Sequence, residues 1–188
     1  DVNYYASTQG SFTVTIGAGT QTLSFPLANY AMVVEGTQAI TASNSVTGGG
    51  TITYSVTAGS GSATVNATTG QLTATGAGTV TLTAQAEANA NYTAASTSTV
   101  ITIGRSTPTL QLLSPTVMTV GSISSAVTQT LAKYSNGGVV TFSIAAPGAG
   151  LSATVDNASG QITATRSGIV TLIAQSAGDT NYYGVSTT

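Results

Sequence analysis

What most limits the fold of this chain is a long internal repeat. The segment Ala63 to Gln85 returns as Ala153 to Gln175, without a gap and displaced by 90 residues. Ala63-Thr-Val-Asn-Ala-Thr-Thr-Gly70-Gln-Leu-Thr-Ala matches Ala153-Thr-Val-Asp-Asn-Ala-Ser-Gly160-Gln-Ile-Thr-Ala, and Gly78-Thr-Val-Thr-Leu-Thr-Ala matches Gly168-Ile-Val-Thr-Leu-Ile-Ala. Thr53-Tyr-Ser-Val56 returns as Thr141-Phe-Ser-Ile144, and Thr15-Ile-Gly17 with Leu23 echoes Thr102-Ile-Gly104 with Leu110. A loop marker occurs three times, as Asp1-Val-Asn-Tyr4, Asn89-Ala-Asn-Tyr92 and Asp179-Thr-Asn-Tyr182. Self-similarity at a fixed period means one structural unit used in tandem. The units predicted are 17–104 and 105–188, with 1–16 as the C-terminal strand of a preceding unit. The junctions Gly17-Ala-Gly-Thr20 and Gly104-Arg-Ser-Thr-Pro108 are short, which restricts bending and predicts units following one another along an axis.

Within each unit the apolar period is two. Val80, Leu82, Ala84 and Ala86 alternate with Thr79, Thr81, Thr83 and Gln85, and Val170, Leu172 and Ala174 repeat the pattern. Ile52, Tyr54 and Val56 alternate with Thr51, Thr53 and Ser55, and Phe12, Val14 and Ile16 with Thr13 and Thr15. Strict alternation over short runs predicts half-buried antiparallel strands. Turn signals part them at Gly48-Gly-Gly50, Ala67-Thr-Thr-Gly70, Gly76-Ala-Gly78 and Asn136-Gly-Gly138. About seven strands per unit and no helical period predict an all-β sandwich.

Composition removes several function classes. Charged residues are 4 % of the chain, against roughly 25 % in an ordinary soluble domain, while hydrophobic residues reach 41 %. That is the profile of a folded, hydroxyl-coated protein. A net charge of −2 provides no basic stripe, so nucleic acid is excluded as a partner, as is a polybasic membrane contact. No apolar run is long enough to span a bilayer, which argues against direct membrane insertion. There is no Cys for disulfide or thiolate chemistry and no His for general base or metal work. Unit 17–104 has neither Lys nor Arg, and its acids Glu35 and Glu87 lie in different segments. No catalytic constellation, cofactor or metal is expected.

Asp179 with Asn181, Asp1 with Asn3, and Asp156 with Asn157 hold partial oxygen sets for calcium. They read as loop caps, because the middle copy of the marker carries Asn89 in place of the acid. Lys133 reads as a surface lysine rather than half of an isopeptide bond. Asn66, Asn91 and Asn157 each open a glycosylation triplet. Tyr4, Tyr92 and Tyr182 are expected to pack at the unit junction, hydroxyl to backbone. Outward Thr79, Thr81 and Thr83 fit an ordinary pleated surface better than an ice-binding one.

Together, Ala-Thr-Val-(Asn/Asp)-x-x-(Thr/Ser)-Gly-x-(Leu/Ile)-Thr-Ala and the following Gly-(Thr/Ile)-Val-Thr-Leu-x-Ala resemble the core signature of bacterial immunoglobulin-like repeats, group 2 and its relatives. Such repeats occur in invasin- and intimin-like adhesins and in large secreted repeat proteins. The resemblance covers essentially the whole chain. It implies tandem immunoglobulin-like Greek-key β-sandwiches arranged as a rod, an extracellular or cell-surface location, and a role as structural spacer or stalk of an adhesin or fibre. It carries over no binding residue.

Mechanically, a strand at 21–25 that opens a unit is expected beside the strand at 99–103 that closes it, so that pulling loads their hydrogen bonds in shear. The partners expected are neighbouring repeats or identical subunits. Residues 9–16 form a spare strand with Phe12, Val14 and Ile16 on one face, while unit 105–188 stops before the counterpart of 99–103. Two readings remain: a cut through a longer array, or donation of strand 9–16 to a neighbour's open sandwich. The alternative function is a carbohydrate- or host-surface-binding module, which would require a cluster of exposed aromatics.

Overall fold

The computed structural model describes residues 9–113, 117–124, 128–132, 139–145 and 152–188. Asp1, Asn3, Tyr4, Lys133 and the turn at Asn136-Gly-Gly138 lie outside the described residues. Every regular element among the described residues is a β-strand.

The first unit contains β1 (Leu23–Ser24), β2 (Asn29–Val33), β3 (Thr37–Ala39), β4 (Ser43–Asn44), β5 (Ile52–Ala58), β6 (Ser62–Val65), β7 (Gln71–Gly76), β8 (Gly78–Ala86) and β9 (Ala95–Gly104). One sheet runs β2-β9-β8-β5, a second β3-β7-β6, and β1 pairs with β4. The alternation read from the sequence places its apolar face inward. Val80, Leu82, Ala84 and Ala86 of β8 are buried with Leu72 and Ala74 of β7, Ile101 and Ile103 of β9, and Tyr54 of β5. Each large aliphatic side chain removed from water here contributes about 1.5–3 kcal/mol.

One expectation needs correcting. The opening strand at 21–25 does not lie along the last strand: Leu23–Ser24 pairs with Ser43–Asn44. Pro26 follows, with no N–H to offer a ladder and a fixed φ. Beyond it Asn29–Val33 runs parallel to β9, Asn29 opposite Val100 and Val33 opposite Gly104. The parallel contact between the opening and closing segments therefore exists, but downstream of the proline.

The hairpin turns follow their glycines. Gly70 and Gly160 both have φ 68°, in the left-handed region where a side chain is strained. Inside each turn an Asx side chain accepts from the backbone. Asn66 Oδ1 takes the amides of Thr68 and Thr69 at 3.0 Å each, and Asp156 Oδ1 those of Ala158 and Ser159 at 3.1 and 2.7 Å.

The second unit contains β10 (Thr109–Leu113), β11 (Thr128–Ala132), β12 (Val140–Ile144), β13 (Ala153–Val155), β14 (Ile162–Ala164), β15 (Leu172–Ser176) and β16 (Val185–Thr187). The pairing repeats the first unit: Phe142 stands opposite Ala174 as Tyr54 stands opposite Ala84. Its sheet β12-β15-β16 is shorter, however. In β8, Gly78, Thr79, Val80 and Thr81 are held by Ile103, Thr102, Ile101 and Val100 of β9. The matching residues 168–171 are not strand, because β16 pairs only with Ala174, Gln175 and Ser176.

Candidate functional site

The chemistry of this chain concentrates at the junction between its units. Two loops carrying the repeated marker are built alike. Asp179 Oδ1 accepts the amides of Asn181 (2.7 Å) and Tyr182 (2.8 Å), and Asn89 Oδ1 those of Asn91 and Tyr92 (2.9 Å each). An amide oxygen does this as well as a carboxylate, which accounts for the interchange of Asp and Asn as a loop cap. The linker then bonds the loop. Ser106 N–H donates to Asn181 O at 2.9 Å and Ser106 O accepts from Tyr183 N–H at 2.9 Å; Gly19 N–H donates to Asn91 O at 2.8 Å and Gly19 O accepts from Thr93 N–H at 2.9 Å.

From this preformed loop the second unit reaches into the first. Tyr182 is 2 % exposed and belongs to the core cluster of unit 17–104. Its hydroxyl donates to Glu35 Oε1 at 2.5 Å, correcting the expected backbone acceptor to a carboxylate. Beside it Asn181 Oδ1 accepts the Ala77 amide at 2.9 Å. A bond to a carboxylate acceptor is stronger than one to a neutral group. The Arg105 guanidinium lies 5.8 Å from the centroid of the Tyr183 ring, a cation–π contact on the same linker.

Glu35 occupies an unusual backbone position. Its φ of 68° is positive, a conformation costing a non-glycine residue about 1–3 kcal/mol. Its amide donates to Ala74 O at 2.9 Å, and in the second unit the amide making the same bond, to Ala164 O at 2.8 Å, belongs to Gly121 with φ 83°. The first unit thus places an acid where the second has the conformationally ordinary residue, and that acid receives Tyr182.

Among the described residues, the second unit carries a groove of about 360 Å³, lined by residues including Met118, Val120, Ile162, Ser167, Val170 and Leu172. Val120 is 59 % exposed, whereas Val34, one residue before Glu35 as Val120 is before Gly121, is 2 % exposed. At the other end of the chain, Phe12, Val14 and Ile16 are 88, 66 and 90 % exposed, in a segment without strand pairing. Tyr92, the counterpart of Tyr182, is only half-buried.

The remaining candidates are scattered. Asn66, Asn91 and Asn157 are all exposed. Asn157 already donates its Nδ2 to Phe142 O at 3.1 Å, and Asn91 sits in the junction loop. The Ser159 amide, then the Ser159 hydroxyl, hold the Asp156 carboxyl below its ordinary range, with the Ala158 amide adding to this and desolvation opposing it. Among the described residues no group of three or more acidic, His or Cys side chains is placed to hold a metal ion. Among the described residues no helix is long and apolar enough to cross a membrane.

Sequence reasoning missed Glu35 and Gln21. Glu35 precedes Gly36, so an alignment on glycines sets Gly36 against Gly121 and hides the acid at the left-handed position. Buried Gln21 donates to Glu87 O (3.1 Å) and Thr93 O (2.7 Å), and accepts from Asn44 Nδ2 (2.6 Å) and Gly50 N–H (3.1 Å). It pins the entry strand to the loop that carries Tyr92, and no local pattern marks it.

Neither a protein-family model nor a curated protein matches the chain. Among solved structures, the chain is similar to a protocadherin gammaB7 EC3-6 cis-dimer (15 % identity, TM-score 0.38, 88 % of this chain and 49 % of that one). It is also similar to mouse cadherin-23 EC22-24 (19 % identity, TM-score 0.38, 89 % and 64 %) and mouse protocadherin-24 EC1-3 (10 % identity, TM-score 0.35, 88 % and 68 %). The chain spans about half the length of the first of these.

Proposed function

We propose that this chain is a non-catalytic structural spacer: tandem immunoglobulin-like Greek-key sandwiches stacked as a rod in an extracellular stalk or fibre. Its copies extend head to tail by donating strand 9–16 to the open sandwich of a neighbour. The observation that carries this reading is a complementarity within one chain. Phe12, Val14 and Ile16 precede Gly17 as Thr99, Ile101 and Ile103 precede Gly104, and they are exposed while the latter three are buried. Residues 168–171, meanwhile, lack the strand that holds Gly78–Thr81 in the first unit. Exposed apolar side chains on an unpaired segment and a sheet edge without a strand are each unfavourable in water, and one contact removes both.

The register follows from the first unit. Ile101 stands opposite Val80 and Ile103 opposite Gly78, so a donated Val14 stands opposite Val170 and Ile16 opposite Gly168. Tension along such a rod loads parallel ladders in shear, so several hydrogen bonds resist together.

Sedimentation velocity of the full chain tests the proposal. The chain is expected to build a concentration-dependent series of multimers, and Val14→Asp to remain a monomer with unchanged circular dichroism. Multimers of equal mass from Val14→Asp would overturn strand donation.

A further inference from the structure

We infer that the rim of the groove in the second unit is a socket for the loop Asn89–Tyr92 of a second copy, with Tyr92 entering as Tyr182 enters the first unit. The inference rests on the head-to-tail reading above and adds a second contact to it, distinct from the strand.

The template is the junction already present in the chain. Asn181 and Tyr182 dock against the Ala77 amide and Glu35. Ser167 occupies the place of Ala77 in the 90-residue repeat and lines the groove, and Gly121 makes the Glu35 backbone bond. On the other side, the Asn89 cap and the Gly19 bonds give loop 89–92 the geometry of loop 179–182 before any partner arrives. Such preorganisation lowers the ordering cost of docking. The two faces that meet at the internal junction thus recur in the chain, and Tyr92 is half-buried, Val120 is 59 % exposed and Ile169 is 90 % exposed.

Charge agrees with this occupant. Among the described residues Arg166 is the one charged residue lining the groove, and Glu87 is the one charged residue from 87 to 93. In the internal junction the matching positions are Gly76 and Ala177, both neutral. Opposite signs at the ends of one chain steer copies head to tail and disfavour head-to-head meeting. The socket differs from the first in one respect: Gly121 offers no carboxylate to the tyrosine hydroxyl, so Tyr92 binds through its ring.

The natural chain has no cysteine, so introduced pairs report contacts without background. Three double variants of the full chain are oxidised and resolved by mass. Ala77→Cys with Asn181→Cys must close within one chain, as the control for loop geometry. Val14→Cys with Val170→Cys reports the strand between copies, and Asn91→Cys with Ser167→Cys reports the loop. The inference expects intermolecular ladders from both of the latter pairs. It also expects Tyr92→Ala to weaken self-association at least ten-fold, with Tyr92→Phe within two-fold of the natural chain. A strand ladder without a loop ladder, the control having closed, overturns the socket and leaves strand donation standing. Absence of both ladders overturns the head-to-tail reading and the socket with it.

Discussion

The Tyr182 hydroxyl lies 2.5 Å from Glu35 Oε1, joining a residue of the second unit to a strained residue of the first across 147 positions of sequence. The acid sits at φ 68°, where the second unit has glycine. A strained residue kept at a contact is a signature of a site rather than of a turn alone.

The pair therefore has a measurable coupling. Tyr182→Phe should lower the stability of the first unit by about 1–2 kcal/mol, the range for a hydrogen bond to a charged group at a partly exposed site. Glu35→Gly loses the same bond but relieves backbone strain, so its net effect should be near zero. In a denaturant double-mutant cycle, Tyr182→Phe should cost almost nothing in the Glu35→Gly background. Full additivity would mean that the two groups do not act on each other.

Tyr182 also fills space. Tyr182→Ala should cost about 3–5 kcal/mol, the range for removing a buried aromatic side chain, and should act on the first unit although the residue belongs to the second. The readout is the unfolding midpoint of the first unit, followed through hydrogen exchange of the Leu82 and Ile101 amides. Protection left unchanged there would contradict the shared core.

Gln21 satisfies four polar groups at the entry of the first unit. Gln21→Leu keeps the volume but leaves Asn44 Nδ2, the Gly50 amide and two carbonyls without that partner, so a loss of about 2–4 kcal/mol is expected in chemical denaturation. A loss below 0.5 kcal/mol would show that water replaces the amide without penalty.

Asp156 gives the turn a pH dependence that Asn66 cannot have. Its folded pKa lies below the ordinary 3.8, so its contribution is fully present above that value and fades as pH falls through the lower folded value. An NMR titration should find the carboxyl midpoint below 3.8, and Asp156→Asn should remove the acid-side slope of stability that this group causes. A midpoint at or above the ordinary value would contradict the Ser159 bonds.

Much of the architecture was legible because its causes are local. Two-residue alternation at Val80, Leu82, Ala84 and Ala86 predicts one buried face, and all four are buried. Gly70 and Gly160 mark the left-handed turns where they stand. The marker loops announced themselves by recurring, and the swap of Asp179 for Asn89 predicted a cap in both. What stayed hidden depends on distance in sequence. Nothing near Glu35 records that Tyr182 will meet it, and the partners of Gln21 lie as far away as Thr93. Pro26 stands where the chain changes sheet, and the parallel partner of Asn29–Val33 is set by where β9 ends.

Negative-stain electron micrographs of the full chain, beside the chain lacking residues 1–16, test the central claim most directly. Unbranched filaments are expected from the full chain, with an axial period of about 70–80 Å for two sandwiches built on strands of ~3.3 Å rise per residue, and dispersed particles from the shortened one. Dispersed particles from the full chain, or the same filaments from both, would contradict it.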